Sequence, residues 1–166
     1  MKQAGFTLIE LLIALAVVAI LANVAAPSFN SLIDHHRGLV AAQELASGIR
    51  ATRVAAITRN ALVTIHAIEG DWSNGWRIVL DTGSKGADKN DTLLVERARS
   101  NQTRIVGNTR LAEQLSFNGL GGLVDRTNGT LHMCLKDQPA SRYRVIVAPA
   151  GRVRIEDATR ETRLCR

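Results

Sequence analysis

The sequence predicts an α+β protein in which one long N-terminal helix packs on a mostly antiparallel β-sheet domain. Apolar residues recur with helical spacing up to about Arg59, which indicates the helix. After Asn60 the pattern changes to short β-branched runs separated by Gly, Asn and Asp, which is typical of antiparallel strands. The chain of 166 residues has room for this helix and one domain of about 100 to 140 residues.

The predicted helix begins with a strongly apolar stretch. From Phe6 to Ala26 there are 21 residues that carry one charge, Glu10. About 20 such residues cross the roughly 30 Å hydrocarbon core of a bilayer, so we expect residues 6–27 to insert into a membrane. A cleaved secretory signal fits poorly, because Pro27 directly follows the small residues at 25–26 and because an acid lies inside the apolar run. An ionisable group at this depth needs a partner, and the nearest candidate is a free amine.

The stretch Gly5-Phe6-Thr7-Leu8-Ile9-Glu10-Leu11-Leu12 resembles the processing signal of type IV pilins and pseudopilins. The resemblance implies that residues 1–5 are a leader peptide, that a prepilin peptidase cleaves between Gly5 and Phe6, and that Phe6 is then N-methylated. It also implies an assembly role for Glu10, whose carboxylate is expected to meet the terminal amine of a neighbouring subunit. Pro27 matches the family too. An ordinary signal anchor is the alternative, and it leaves Glu10 unexplained.

The second half of the helix, residues 28–60, is predicted to be amphipathic. Its apolar residues recur at spacings of three, four and seven, so we expect them to form one face that carries the globular domain. They are Phe29, Leu32, Ile33, Leu39, Val40, Leu45, Ala46, Ile49, Ala56 and Ile57. Because Pro27 lacks a backbone N–H, we also expect a kink where the two halves of the helix meet.

Residues 61–166 are predicted to form the β-rich globular domain. The expected strands are 62–67, 76–80, 93–97, 104–106, 114–117, 130–135, 142–147 and 152–155. Ser73-Asn74-Gly75 predicts a tight hairpin turn, and residues 82–91 predict a long polar loop.

The two cysteines, Cys134 and Cys165, lie in the domain that the membrane helix would lead out of the cytoplasm, where disulfides persist. We therefore expect them to pair, and two free thiols are the alternative. A bridge of this span would tie the C terminus to the body of the domain and contribute roughly 3 to 4 kcal/mol.

Residues 150–155 hold the strongest candidate for a binding element. Strand alternation places Arg152 and Arg154 on one face, about 7 Å apart, which suits two successive phosphates. The net charge of +6 favours an anionic partner, either nucleic acid or an acidic face of a neighbouring subunit. The alternative is a glycine turn followed by a solvated strand face. Only Tyr143 lies near enough in the sequence to stack on bases.

Phe117-Asn118-Gly119-Leu120-Gly121, which precedes a strand ending in Cys134, is similar to a segment of the GspH/FimT/FimU branch of minor pilins and pseudopilins. Within that branch, Gly151-Arg152-Val153-Arg154 resembles the DNA-binding signature of the FimT members that act in natural transformation. The cysteine pair near the C terminus resembles the FimU type instead, which implies a structural subunit.

Signals for metal binding or catalysis are weak. Two of the four histidines are adjacent on a helix and point about 100° apart, and the other two lie in separate strands, so none has ligand spacing. They are His35, His36, His66 and His132. The oxygen-bearing residues around the long loop lack the spacing of a calcium site. These are Asp81, Asp88, Asn90 and Asp91. We expect no catalytic residue, no metal, no cofactor and no enzymatic activity.

The resemblance thus implies a minor type IV pilin that is incorporated into the pilus in a priming or tip complex. Its implied partners are other major and minor pilins, the prepilin peptidase, the inner-membrane assembly platform and, before assembly, membrane lipid. The implied location is the inner membrane with the domain in the periplasm, and later the pilus at the cell surface. Two alternatives stay open: a minor pilin that binds DNA for natural transformation, and a minor pseudopilin of type II secretion.

Overall fold

The computed structural model describes residues 7–83, 87–88, 91–98, 103–126, 128–136 and 138–166, without the side chains of residues 23–28, 30, 31 and 110. Its contacts divide the chain into two units, residues 1–35 and 36–166. The described backbone forms one α-helix, α1 (Leu8–Arg59), and eight strands. The strands are β1 (Val63–Ala67), β2 (Gly75–Leu80), β3 (Thr92–Ala98), β4 (Ile105–Gly107), β5 (Gln114–Phe117), β6 (Gly129–Cys134), β7 (Ala140–Val147) and β8 (Val153–Glu161).

The long N-terminal helix is confirmed and ends at Arg59, as the sequence predicts. α1 continues through Pro27, whose side chain lies outside the described part of the chain, so the kink there stays a prediction. In the first unit the large apolar side chains from Leu8 to Leu21 are exposed, by fractions between 49% and 76%. Within the described residues, no helix is both long enough and apolar enough to span a membrane.

The face of α1 that packs on the globular unit is shorter than the sequence predicts. Four residues expected on this face are exposed: Phe29 by 62%, Leu32 by 60%, Ile33 by 45% and Ile57 by 46%. The buried face consists mostly of small residues at helical spacing, namely Ala41, Ala42, Leu45, Ala46, Ile49, Thr52 and Ala56. Apolar spacing indicates a surface that needs a partner but does not identify that partner, which is why the prediction included these four exposed residues.

The globular unit contains two antiparallel sheets of four strands each, where the sequence predicted a single mostly antiparallel sheet. The strand orders are β3-β2-β1-β5 and β4-β6-β7-β8. Each sheet turns alternate residues inward, such as Val63 and Ile65 of β1 and Val145 and Val147 of β7, all fully buried. These side chains join those of α1 in one hydrophobic core. The α+β class is therefore confirmed.

All eight predicted strands are present; β5 has the predicted ends, and the other seven are shifted at one end or both. The largest shift is in β8, which continues to Glu161. The tight hairpin predicted at residues 73–75 is wrong, because two short 3-10 helices, Ile68–Gly70 and Trp72–Asn74, connect β1 to β2. The side chain of Asp71 accepts a hydrogen bond from the N–H of Ser73 at 2.8 Å and caps the second of them. The Asn-Gly pair therefore indicated that a turn is present, but it did not indicate how many residues connect the two strands.

The helix makes a close approach to the first sheet at Gly48. A Cβ built there would lie 2.6 Å from Cζ2 of Trp76, whose ring is buried. We expect Gly48→Ala to lower the free energy of unfolding, because overpacking costs about 1 to 3 kcal/mol. The gain in helix propensity offsets at most about 1 kcal/mol of that cost.

Urea unfolding of the detergent-solubilised chain measures this effect. The neighbouring exposed residue supplies the control, since Ser47→Ala raises helix propensity without a clash and should increase stability by a few tenths of a kcal/mol. A Gly48→Ala variant more stable than the wild type would contradict the packing described at Trp76.

Candidate functional site

The N-terminal site is described from Thr7 onward, so Gly5 and Phe6 lie outside the described residues. Oε2 of Glu10 accepts hydrogen bonds from the N–H and from the hydroxyl of Thr7, both at 2.9 Å. The N–H of Glu10 donates to Oγ1 of Thr7 at 3.3 Å. This reciprocal pair is a capping box at the start of α1. The prediction from the sequence did not include Thr7, although the Thr-x-x-Glu spacing is the sequence signal for a capping box.

Glu10 is the one ionisable side chain among residues 7–22. Its neighbours on α1, such as Ile9 and Leu11, expose most of their apolar surface. A carboxylate in this setting is stable in water, but it needs a cation once the surface around it is buried. The capping box holds the carboxylate at the N-terminal end of the helix.

The predicted disulfide between Cys134 and Cys165 is present. It joins the last residue of β6 to the short helix Arg163–Cys165 at the C terminus. Nη1 of Arg104 also donates a hydrogen bond to the backbone oxygen of Arg166 at 2.8 Å. The end of the chain is therefore attached to the second sheet both covalently and by hydrogen bonding.

Gly151 closes a tight turn between β7 and β8. It has a φ of +79°, and its N–H donates to the oxygen of Ala148 at 2.8 Å. The N–H of Ala148 donates in turn to the oxygen of Arg152 at 2.9 Å. A Cβ on Gly151 would collide with the carbonyl oxygen of Gly121. This glycine is therefore required by the backbone, whether or not a ligand binds here.

Arg152 and Arg154 are exposed at the start of the edge strand β8, while Val153 and Ile155 pack against the core, as strand alternation predicts. Neither arginine forms an ion pair with another described residue. Both guanidinium groups therefore keep their charge available to an anion.

The other arginines of β7 and β8 are largely neutralised. Arg142 lies 3.2 Å from Asp157, and Arg144 lies 2.9 Å from Glu156. Glu156 also pairs with Arg160 at 3.4 Å. Among the arginines of residues 140–161, those without an ion-pair partner are thus Arg152 and Arg154.

Two arginines of α1 bind backbone oxygens next to the turn between β7 and β8. Nε of Arg53 donates a hydrogen bond to the oxygen of Gly121 at 2.8 Å. Nη2 of Arg50 donates to the oxygen of Val153 at 3.4 Å. No local sequence pattern connects these two arginines to residues 68 and 103 positions away, so only the folded chain shows these bonds.

The described residues contain no group of three or more His, Cys, Asp and Glu side chains that could bind a metal ion. In the long loop, the carboxylate of Asp91 accepts hydrogen bonds from the N–H of Asp88 at 2.8 Å and from the N–H of Thr82 at 3.0 Å. These bonds lower the pKa of Asp91 below its ordinary value. The Asp91 carboxylate thus binds two backbone N–H groups of the described part of the loop. Asn90 lies outside the described residues.

His132 is half-buried on β6, with Nδ1 3.1 Å from the hydroxyl of Ser141. Burial, and then the positive charge of Arg144, lower the pKa of His132 below its ordinary value. The unfolded chain then binds a proton more tightly than the folded one. We expect the free energy of unfolding to fall as the pH drops below about 6.5, the pKa of an unperturbed histidine.

Unfolding of the wild type and of His132→Asn, measured between pH 7.5 and pH 5.5, tests this expectation. Asparagine keeps a polar atom near Ser141 but does not titrate, so the stability difference between the two proteins should change in this range in favour of the variant as the pH falls. A difference that is constant with pH would show that His132 does not resist protonation.

Two protein-family models match this chain. The model of the family "Type II transport protein GspH" matches residues 41–151. The model "Prokaryotic N-terminal methylation motif" matches residues 1–22.

Among solved structures, two crystal forms of the type IV minor pilin FimU from Pseudomonas aeruginosa PAO1 share this fold. The form in space group P65 is 22% identical, with a TM-score of 0.62 over 75% of this chain and 98% of that one. The form in P21 is 23% identical, with a TM-score of 0.60 over 80% and 98%. Since the GspH model matches well over half of the sequence, and the methylation motif precedes it, the chain belongs to the GspH family of minor pilins and pseudopilins.

Proposed function

We propose that this chain is a minor pilin that enters a type IV pilus and acts in the priming or tip complex that promotes pilus assembly. In this proposal residues 1–5 are the leader, residues 6–27 occupy first the inner membrane and then the filament core, and residues 28–60 continue the helix. Residues 61–166 form the periplasmic domain, which contacts neighbouring major and minor pilins. Prepilin peptidase cleaves after Gly5, and Phe6 is then N-methylated.

The observation that carries the proposal is the exposed apolar surface of α1 with one acid in it, Glu10. A helix that is apolar all round is stable only where lipid or other apolar helices cover it. Lipid can cover Leu8 to Leu21 but offers the carboxylate no cation, whereas a bundle of such helices supplies one at each processed terminus. Glu10 therefore makes transfer from the membrane to the filament favourable and specific.

Sheared surface filaments from cells that express a tagged chain test the proposal. We expect the chain in the filament fraction at a small molar ratio to the major pilin, and we expect cells that lack it to make fewer filaments. Blocking the prepilin peptidase should keep the chain in the inner membrane. Absence of the chain from filaments of processing-competent cells would contradict the proposal.

A pseudopilin of type II secretion is the first alternative, and the match to the family "Type II transport protein GspH" favours it. Pili and secretion pseudopili both assemble from subunits with an apolar N-terminal helix that carries one acid. The filament that co-purifies with the tagged chain distinguishes the two: co-isolation with a secretion pseudopilus in place of surface pili would select this alternative.

A DNA-binding minor pilin is the second alternative, favoured by the two unpaired arginines Arg152 and Arg154. A gel shift at several salt concentrations compares the wild type with Arg152→Ala/Arg154→Ala. The matched control is Arg142→Ala/Arg160→Ala, which removes two arginines that already have acidic partners. A dedicated site predicts at least about tenfold weaker binding and a shallower salt dependence in the first variant only. Equal weak binding by all three proteins would reject such a site.

A further inference from the structure

Three apolar side chains are exposed together at the C-terminal end of α1. Val54 is 58% exposed, Ile57 46% and Leu120 90%. Val54 and Ile57 lie three positions apart and so share one side of the helix. The turn that carries Leu120 packs on Ile57, since a Cβ on Gly121 would lie 2.6 Å from Cδ1 of Ile57. We call the three exposed side chains, Val54, Ile57 and Leu120, the Leu120 patch. Exposed apolar side chains grouped around one turn of a folded domain favour an interaction site.

The turn presents Leu120 in a fixed position. Oδ1 of Asn118 accepts hydrogen bonds from the N–H of Leu120 at 3.0 Å and from the N–H of Gly122 at 3.2 Å. The oxygen of Gly121 accepts the hydrogen bond of Arg53 described above. A leucine that is ordered before binding loses little conformational entropy when a partner covers it. The turn therefore presents Leu120 to a partner without first having to order its own backbone.

Positive charge borders the patch. Arg50 and Arg53 lie on the same part of α1, and Arg152 follows Gly151, where a Cβ would be 2.7 Å from Nε of Arg53. None of these three arginines forms an ion pair with another described residue. In contrast, Arg97 of β3 is already paired with Glu44 at 2.9 Å. The border of the patch thus favours an anionic partner.

A partner that fits must supply apolar area and negative charge together. Nucleic acid offers phosphates to the arginines but no aliphatic surface to cover Leu120 and Val54. A protein face with carboxylates around an apolar depression matches both features. We infer that the Leu120 patch docks such a face of a neighbouring pilin-like subunit. The inference rests on the proposed function, which places such subunits beside this chain.

Photo-cross-linking in cells tests the inference on the full chain. A benzophenone amino acid replaces Leu120, and the adduct is identified by mass spectrometry. We expect a second polypeptide that carries a pilin-type N-terminal motif. The yield should fall at least about tenfold in Arg152→Glu, and it should be unchanged in Arg160→Glu, which reverses a charge on β8 outside the patch. The same cross-linker at Thr159, exposed on β8, should not form this adduct.

A second variant keeps the test decisive if Arg152→Glu misfolds. Leu120→Asp changes a side chain that is 90% exposed, so the domain keeps its fold, and cross-linking from position 54 should also fall at least about tenfold. Adducts with nucleic acid or with a protein of another class, no adduct, or yields that neither variant changes would overturn the inference. The amount of wild-type chain in sheared filaments is measured in the same cultures. Its absence there refutes the proposed function, whereas its presence without the expected adduct refutes only the patch.

Discussion

Replacing Glu10 with alanine is expected to lower the amount of the chain in surface filaments at least about tenfold while leaving it in the inner membrane. The variant inserts normally because it removes the one charge from the apolar stretch at residues 7–22. In the filament, the terminal amine of the neighbouring subunit then lacks its acid. Leaving one member of a buried ion pair alone costs about 3 to 5 kcal/mol, enough to exclude most of the variant.

Two further variants separate charge from local structure. Glu10→Gln keeps the size of the side chain and a hydrogen-bond acceptor for Thr7, but it has no charge, so we expect it to behave like the alanine variant. Thr7→Ser keeps the capping hydroxyl and should assemble like the wild type. Quantitative blotting of membrane and sheared fractions measures all three. Surface filaments that contain Glu10→Ala at the wild-type level would contradict the role given to this acid.

Removing the disulfide is expected to lower the stability of the globular unit by about 2 to 5 kcal/mol. The Cys134–Cys165 bridge closes a loop across 31 positions and attaches the C-terminal residues to β6. Without it, the unfolded chain gains conformational freedom, and the contact of Arg104 with the last residue no longer has a covalent support. The double variant Cys134→Ser/Cys165→Ser should therefore unfold at clearly lower denaturant concentration.

Reduction provides the matched control for the disulfide. Dithiothreitol should destabilise the wild type to about the level of the double serine variant and leave that variant unchanged. Urea unfolding with and without reductant gives both numbers from the same preparations. A stability loss below about 0.5 kcal/mol in both comparisons would show that the bridge does not support the domain.

The fold was predictable from the sequence wherever a local pattern decides structure. The end of α1 at Arg59 follows from helical spacing, and the strand Val63–Ala67 follows from a run with the β-branched residues Val63, Thr64 and Ile65. The division into two sheets could not be predicted, because β5 pairs with β1 about fifty positions earlier and no local pattern records that pairing. The exposed Phe29 shows the same limit, since its spacing fits a buried face whichever partner covers it.

The candidate site residues likewise include some that a local motif predicts and some that only the folded chain brings together. Gly5, Phe6 and Glu10 stand in a contiguous motif, so the sequence alone was enough to single them out. The contact between Arg53 and Gly121 joins residues 68 positions apart, and only the folded chain brings them together. Likewise, Arg152 and Arg160 lie in the same part of the sequence, but only Arg160 forms an ion pair with Glu156. The sequence does not show this difference, because it depends on where the side chains lie in the folded chain.

Mass spectrometry of the N terminus of the mature chain tests the central claim most directly, because every step from membrane to filament starts from that terminus. The account predicts that the first five residues are absent and that the chain begins with an N-methylated Phe6. A chain that retains Met1, begins after Ala26, or begins at Phe6 without a methyl group in assembled filaments would contradict it.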